Sequence, residues 1–305
     1  MEKSKENIFG KLVLDVMDNA VNSARTGRGN NGISSGFKML DKYIGGFRKG
    51  NLCVIASCPR AGKMSYALTM AMNIAFGEKP VPVGFFSFLM RGSSVVEHMI
   101  ANRARINLLA MRNGKIGGEE YDRMMKAAEY LYEYSGYFII NDTPGLSLDE
   151  FSFQIRNMVR ENCVKIVFID GISMVGQENH SISQFDRSID VCRTLKLLAD
   201  ELGIPIICIC PVRTSKNQAR PPVLADLREF GLLDEFADQV IFLDDDSWSF
   251  DPSDYSEKEE EKDMPINLRR IRVIVAKNRD GNAGIFHANM DTSCLRFEEV
   301  EPIRF

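Results

Sequence analysis

An uninterrupted apolar run, Leu52-Cys-Val-Ile-Ala-Ser57, leads into Cys58-Pro-Arg-Ala-Gly-Lys-Met-Ser65 and then into a helical stretch ending near Phe76. A strand, a short loop carrying Gly-Lys and a helix, in that order, restrict this chain more than anything else in it. The strand has no polar alternation, so both of its faces are covered, as in a parallel sheet with helices on either side. The loop has the position and content of a phosphate-binding loop. Gly62 lets the backbone approach a phosphate, Lys63 can reach the outer phosphates of a nucleotide, and the helix start supplies amide donors. Pro59, Arg60, Ala61, Gly62, Lys63, Met64 and Ser65 are therefore candidate nucleotide-binding residues. A chance Gly-Lys at a strand–helix turn is the competing reading.

Two features of the loop depart from the usual pattern. Its first glycine is missing, with Ser57 or Cys58 in that neighbourhood. The residue after the lysine should offer a hydroxyl to magnesium, and it is Met64. Ser65 lies about 100° further round the helix and can at most reach the α-phosphate. ATP is the expected ligand, with Mg2+ weakly held.

Downstream the pattern alternates. Strands are expected at residues 83–88, 138–141, 164–169, 204–210, 239–243, 271–276 and 285–289. Helices are expected from Ser93, over 118–134, from the capping box Ser147-Leu-Asp-Glu150 to about Asn162, and over 184–202. This is an α/β chain with a mostly parallel twisted sheet, helices on both faces and an antiparallel extension at one edge. The strand Ile166-Val-Phe-Ile-Asp170 ends in a carboxylate, which makes Asp170 the candidate magnesium ligand, directly or through water. A plain turn or helix-cap aspartate is the alternative. The acidic segment 244–264 reads as a solvated loop or short exposed helix.

Before the sheet, Ile8, Leu12, Val13, Val16, Met17, Ala20 and Val21 fall at helical spacing within residues 5–24, and residues 26–32 have linker composition. The apolar stripe needs a surface, either its own domain or a neighbouring subunit. Net charge is −4, so nucleic-acid contact has to come from local basic loops. The seven cysteines have no metal-ligand spacing and read as buried thiols. No signal peptide or membrane-length apolar stretch is present, and a cytoplasmic protein without membrane contact is expected.

Several longer stretches carry a family likeness. They are Gly32-Ile-Ser-Ser-Gly-Phe-Lys-Met-Leu-Asp41 with Gly45-Gly46, Asp226-Leu-Arg-Glu229 with Ala237-Asp238, and Lys277-Asn-Arg279-Asp-Gly281. Together with the phosphate loop they make residues 32–298 resemble the C-terminal motor domain of DnaB-type replicative DNA helicases. The resemblance implies a RecA-like fold over 32–305, preceded by a linker helix and flexible linker over 1–31 that docks on an adjacent subunit. It further implies an ATP-dependent helicase acting in DNA replication on single-stranded DNA, as a homo-oligomeric ring. Within these 305 residues, that family's N-terminal domain is not expected.

In the family, residues matching Lys277 and Arg279 reach across the subunit interface to a neighbour's γ-phosphate. The alternative is a basic strand end paired with Asp280 or Glu229. Loops matching residues 176–183 and 213–223 face the DNA channel. The first has His180 but no Lys or Arg, and the second has Arg213, Lys216 and Arg220, suited to tracking a phosphate backbone. An ordinary exposed basic loop is the other reading. Three catalytic positions of the family are lost: Leu89 stands where a glutamate activates water, Pro211 where a glutamine senses the γ-phosphate, and Met64 where a hydroxyl binds magnesium. Two hypotheses follow. One is an active helicase subunit. The other is a non-hydrolysing adaptor or ring subunit that binds nucleotide, DNA or a catalytically complete helicase.

Overall fold

The computed structural model describes residues 8–26, 32–177, 183–212, 220–245 and 265–300. Among these, one sheet of nine strands organises the molecule, in the order β3-β2-β4-β5-β1-β6-β7-β8-β9. The strands are β1 (Leu52–Ser57), β2 (Val83–Ser87), β3 (Phe138–Asn141), β4 (Ile166–Asp170), β5 (Ile206–Pro211), β6 (Gln239–Asp245), β7 (Leu268–Asn278), β8 (Gly284–Asp291) and β9 (Arg296–Glu299). The first six are parallel, and β7, β8 and β9 add the antiparallel edge expected from closely spaced strands without helices between them.

The helices are α1 (Ile8–Thr26), α2 (Lys38–Ile44), α3 (Lys63–Phe76), α4 (Gly92–Ala104), α5 (Leu108–Arg112), α6 (Gly118–Glu133), α7 (Leu148–Glu161), α8 (Gln184–Leu202) and α9 (Leu233–Phe236). Side chains alternate along β1. Cys53 and Ile55 join the core under α2, α3 and α4, while Leu52, Val54 and Ala56 join the opposite core under α7 and α8. Covering both faces explains why the parallel strands read as continuous apolar runs. On the first face Phe76, Phe138, Phe85 and Phe168 stack in succession at centroid distances of 6.0, 5.7 and 6.1 Å. Each such ring contributes roughly 1.5–3 kcal/mol by leaving water.

The box at Ser147 forms as its residues suggest, with the Ser147 hydroxyl accepting from the Glu150 amide at 3.1 Å and the carboxylate accepting from the Ser147 amide at 2.9 Å. Elsewhere the expectations need correction. β4 and β5 each begin two residues later than expected, and β7 is 11 residues long. Helices α2, α5 and α9 and strand β9 were not anticipated. Asp244 and Asp245 are not loop residues: they end β6, where their carboxylates face Arg272 and Arg269. The rest of the acidic segment lies outside the described residues. Helix α2 owes its start to the far end of the chain, because its amides at Met39 and Leu40 donate to the Glu299 carboxylate at 2.6 and 3.4 Å.

Helix α1 is amphipathic over the expected residues, but its apolar side chains are uncovered. Ile8 is 74% exposed and Val16 66%.

Candidate nucleotide site

The parallel strands carry their C-terminal ends to one edge, where such sheets hold ligands. There Ser57 lies in register with Pro211 on one side and Leu243 on the other, and Asp170 with Ile209 and Ser87. The loop after Ser57 closes tightly. The Ser57 hydroxyl donates to the Cys58 carbonyl at 2.8 Å, and the Ala61 amide to the same carbonyl at 3.4 Å.

Gly62 caps α3 with a left-handed φ of 84°. A methyl group there would come within 2.6 Å of the Met290 sulfur and 3.0 Å of the Phe297 ring, so backbone conformation and packing both demand glycine. No side chain caps α3, which leaves its first amides facing outward for an anion. Arg60 also has positive φ, 74°, which costs a long side chain roughly 1–2 kcal/mol. Neither Arg60 nor Lys63 has a side-chain hydrogen bond or ion pair among the described residues.

Asp170 ends β4 almost completely buried, at 4% exposure. Burial pushes its carboxyl up to about 6, and the nearby Lys63 charge holds it back from rising further. Phosphate loop, lysine and strand-end aspartate thus converge as the sequence suggests.

The three altered positions converge on the same edge. Leu89 lies over the residue that follows Asp170, its Cγ only 2.8 Å from where a Gly171 methyl would stand. The Ser87 hydroxyl donates to the Met90 carbonyl, and the Phe88 amide to the Asp170 carbonyl, which fixes this crossing. Met64 is half-buried against the apolar core under α3, while Ser65 is buried and its carbonyl accepts from Thr69. Pro211 sits beside Ser57, joined by the Val212 amide donating to the Ser57 carbonyl at 2.9 Å. Of the Met64, Leu89 and Asp170 side chains, only the last carries an oxygen that could ligate magnesium. The carboxylate a metal would take is therefore present in Asp170, while the hydroxyl after the lysine is absent at Met64.

The profile of the family described as "DnaB-like helicase C terminal domain" matches residues 32–299. The chain belongs to that family. The replicative DNA helicase DnaB of Rickettsia felis is 28% identical over the whole of this chain, and the helicase DnaC of Bacillus subtilis is 30% identical over 83% of it. The match spans 65% and 53% of those relatives. Among solved structures, an isolated ATPase domain superposes with a TM-score of 0.84 at 24% identity, covering 97% of this chain and all of that one. A DnaB-like replicative helicase, solved in a study of its interactions with primase, superposes with a TM-score of 0.78 at 24% identity. That match covers 94% of this chain and 66% of the helicase. These likenesses establish the RecA-like fold of the family.

The basic residues named from the family likeness lie elsewhere. Lys277 pairs in register with Val240 at the start of β6, and the Arg279 amide donates to the Asp238 carbonyl, beside the start of β1. They occupy the edge opposite the phosphate loop, a strand length of roughly 20 Å away. Lys277 donates to the carbonyls of Asp234 and Glu235 at the end of α9, and Arg279 donates to the Glu235 carbonyl at 2.8 Å. Burial and the neighbouring Arg279 charge lower the Lys277 pKa.

The carboxylate partner of Arg279 is Asp238 at 3.2 Å, not Asp280, which pairs with Arg48 instead. Asp238 also accepts from Lys196 at 2.9 Å and from the Leu52 amide at 2.9 Å. This junction of α8, β1 and the basic turn around the buried Asp238 was missed from sequence. Its members are far apart in the chain, and no local pattern signals them.

Arg220 makes a two-pronged ion pair with Asp226, 2.8 Å on both arms. Its guanidinium is thus already engaged within the chain. Arg213 and Lys216 lie outside the described residues, as do His180 and most of its loop.

Proposed function

We propose that this chain is a nucleotide-binding motor-domain subunit of a DnaB-like helicase assembly acting in DNA replication, with its own ATP hydrolysis impaired. The observation that carries this reading is the convergence of an uncapped helix start, Lys63 and the buried Asp170 at the C-terminal edge of a family fold. ATP is the expected nucleotide, held by the backbone of residues 59–65 and by Lys63. Lys63→Ala is expected to weaken an ATP analogue by roughly 1.5–3 kcal/mol, the worth of a charged hydrogen bond to phosphate. Calorimetry showing no binding to the native protein would sink the reading and leave the loop a relic.

Lys277 and Arg279 are proposed to act in trans. Their distance from their own phosphate loop supports this, since it puts them out of reach of the nucleotide that loop would hold. Such residues stabilise charge on phosphoryl oxygens and make turnover depend on assembly. The uncovered stripe of α1 supports oligomerisation, with Leu12, Val16 and Met17 burying against an adjacent subunit. Removal of residues 1–30 is expected to lower the mass seen by light scattering. An unchanged mass at several concentrations would count against it. Single-stranded DNA is the proposed track, contacted through Arg213 and Lys216. Arg220 contributes there only by exchanging Asp226 for phosphate.

A second reading has its own support in Met64, Leu89 and Pro211. Here the chain is a non-hydrolysing adaptor or ring subunit, bound to nucleotide, DNA or a complete helicase in the cytoplasm. ATP turnover with and without single-stranded DNA separates the two: slow but detectable turnover means an impaired motor subunit, and binding with no turnover at all means an adaptor.

A further inference from the structure

We infer that the phosphate loop takes its nucleoside triphosphate without a metal ion, and that the Arg60 guanidinium supplies the positive charge magnesium would bring. The inference rests on the nucleotide-binding reading above and sharpens it.

The hydroxyl position after the lysine, where magnesium would be held, is filled by carbon, and so is the position of the water-activating glutamate. Met64 turns into the apolar core under α3, and Leu89 covers Gly171 beside Asp170. The one remaining carboxylate is buried, with the Lys63 charge acting on it. Magnesium at a nucleotide takes one or two carboxylates with phosphate oxygens and waters. Here, among the described residues, Asp170 is the one carboxylate, and the hydroxyls nearby, Ser57 and Ser87, donate to the Cys58 and Met90 carbonyls.

The loop offers cations instead. Arg60 lies three residues before Lys63, exposed, and without an ion pair or side-chain hydrogen bond among the described residues. Its φ of 74° is a conformation that glycine takes at no cost and arginine does not. A strained residue at a ligand loop calls for a compensating task. A guanidinium suits this one, because its fork binds phosphate oxygens in pairs and it never loses its charge. Arg60 and Lys63, neither with a side-chain hydrogen bond or ion pair among the described residues, form with the uncapped helix start a site for the polyphosphate itself.

The test is calorimetric titration of the full chain with a non-hydrolysable ATP analogue, once with magnesium and once with EDTA. The native protein is expected to bind in both, with dissociation constants within about threefold of each other. Arg60→Gly relieves the backbone strain and keeps the fold, and it is expected to weaken binding in EDTA by about tenfold or more. Arg60→Lys, which returns the charge, should recover most of that loss. Met64→Thr with Leu89→Glu should make binding depend on magnesium.

Native binding that weakens tenfold or more on chelation overturns the inference and leaves nucleotide binding intact. So does an Arg60→Gly protein that binds like the native one in EDTA. Absence of binding in either buffer overturns both the inference and the reading beneath it.

Discussion

The purified chain alone is expected to turn over ATP well below about 1 s−1, with little response to single-stranded DNA, against the normal enzyme range of roughly 1–10³ s−1. Leu89 lies over Gly171, the residue after Asp170, and has no atom that can accept a proton from attacking water. A positioned general base is worth about 10²–10⁴-fold in rate, and that contribution is missing. Pro211 lies in register with Ser57 at the start of the loop, and its ring offers no amide to a γ-phosphate. Met64 adds the loss of the magnesium hydroxyl. Groups that work together do not contribute additively, so Leu89→Glu alone should recover little. The triple variant Met64→Thr, Leu89→Glu, Pro211→Gln should recover most. Steady-state phosphate release, with and without DNA, checks this. A native rate of roughly 1 s−1 or faster with DNA stimulation would return the chain to the active helicases.

In the ligand-free protein, Asp170→Asn is expected to stabilise the fold by about 3 kcal/mol at neutral pH, although it removes a proposed site residue. The sign follows from burial, which raises the Asp170 carboxyl from 3.8 to about 6. A raised carboxyl pKa means that the folded chain holds the proton more tightly than the unfolded chain does. Stability from this group is therefore complete below the unfolded value and is lost as pH rises through the folded one. At pH 7.5 the native protein carries an ionised carboxylate that it has desolvated, whereas the isosteric amide carries no charge. Urea unfolding of both proteins at pH 4 and pH 7.5 reads the effect, because other titrating groups cancel between them. The gain should be large at pH 7.5 and nearly absent at pH 4. Equal gains at both values would show that the carboxylate is not the cause.

Elements with local signals were legible in the sequence. The limits of β1, β3 and α8 agree with their apolar runs and periodicity, and α7 starts where Ser147 and Glu150 can cap each other. The antiparallel edge followed from strands too close together for helices to intervene. Elements held by distant partners were not legible. α2 is capped by Glu299, about 260 residues away, and β9 is stabilised by pairing with β8.

The site divides along the same line. Gly62, Lys63 and Asp170 come together because each ends or begins an element whose pattern is plain. The partners of Lys277, Arg279 and Arg220 depended on which chain segments meet. That left Asp280 and Glu229 as guesses for a role that Asp238 fills. The left-handed backbone of Arg60 had no sequence signal, since arginine is not a residue that announces such a turn.

The placement of the phosphate loop and of Lys277 and Arg279 at opposite ends of the sheet gives the chain a direction. If those two residues serve a neighbour, subunits must join head to tail, each presenting its socket to one neighbour and its plug to the other. Damage to the socket then does not spread to the plug. A subunit of this kind, inserted into a ring of intact helicases, would leave its own socket silent and still complete the one beside it. A single insertion would remove one firing position and keep the circle closed. The chain would act as a brake on the ring and not as a break in it.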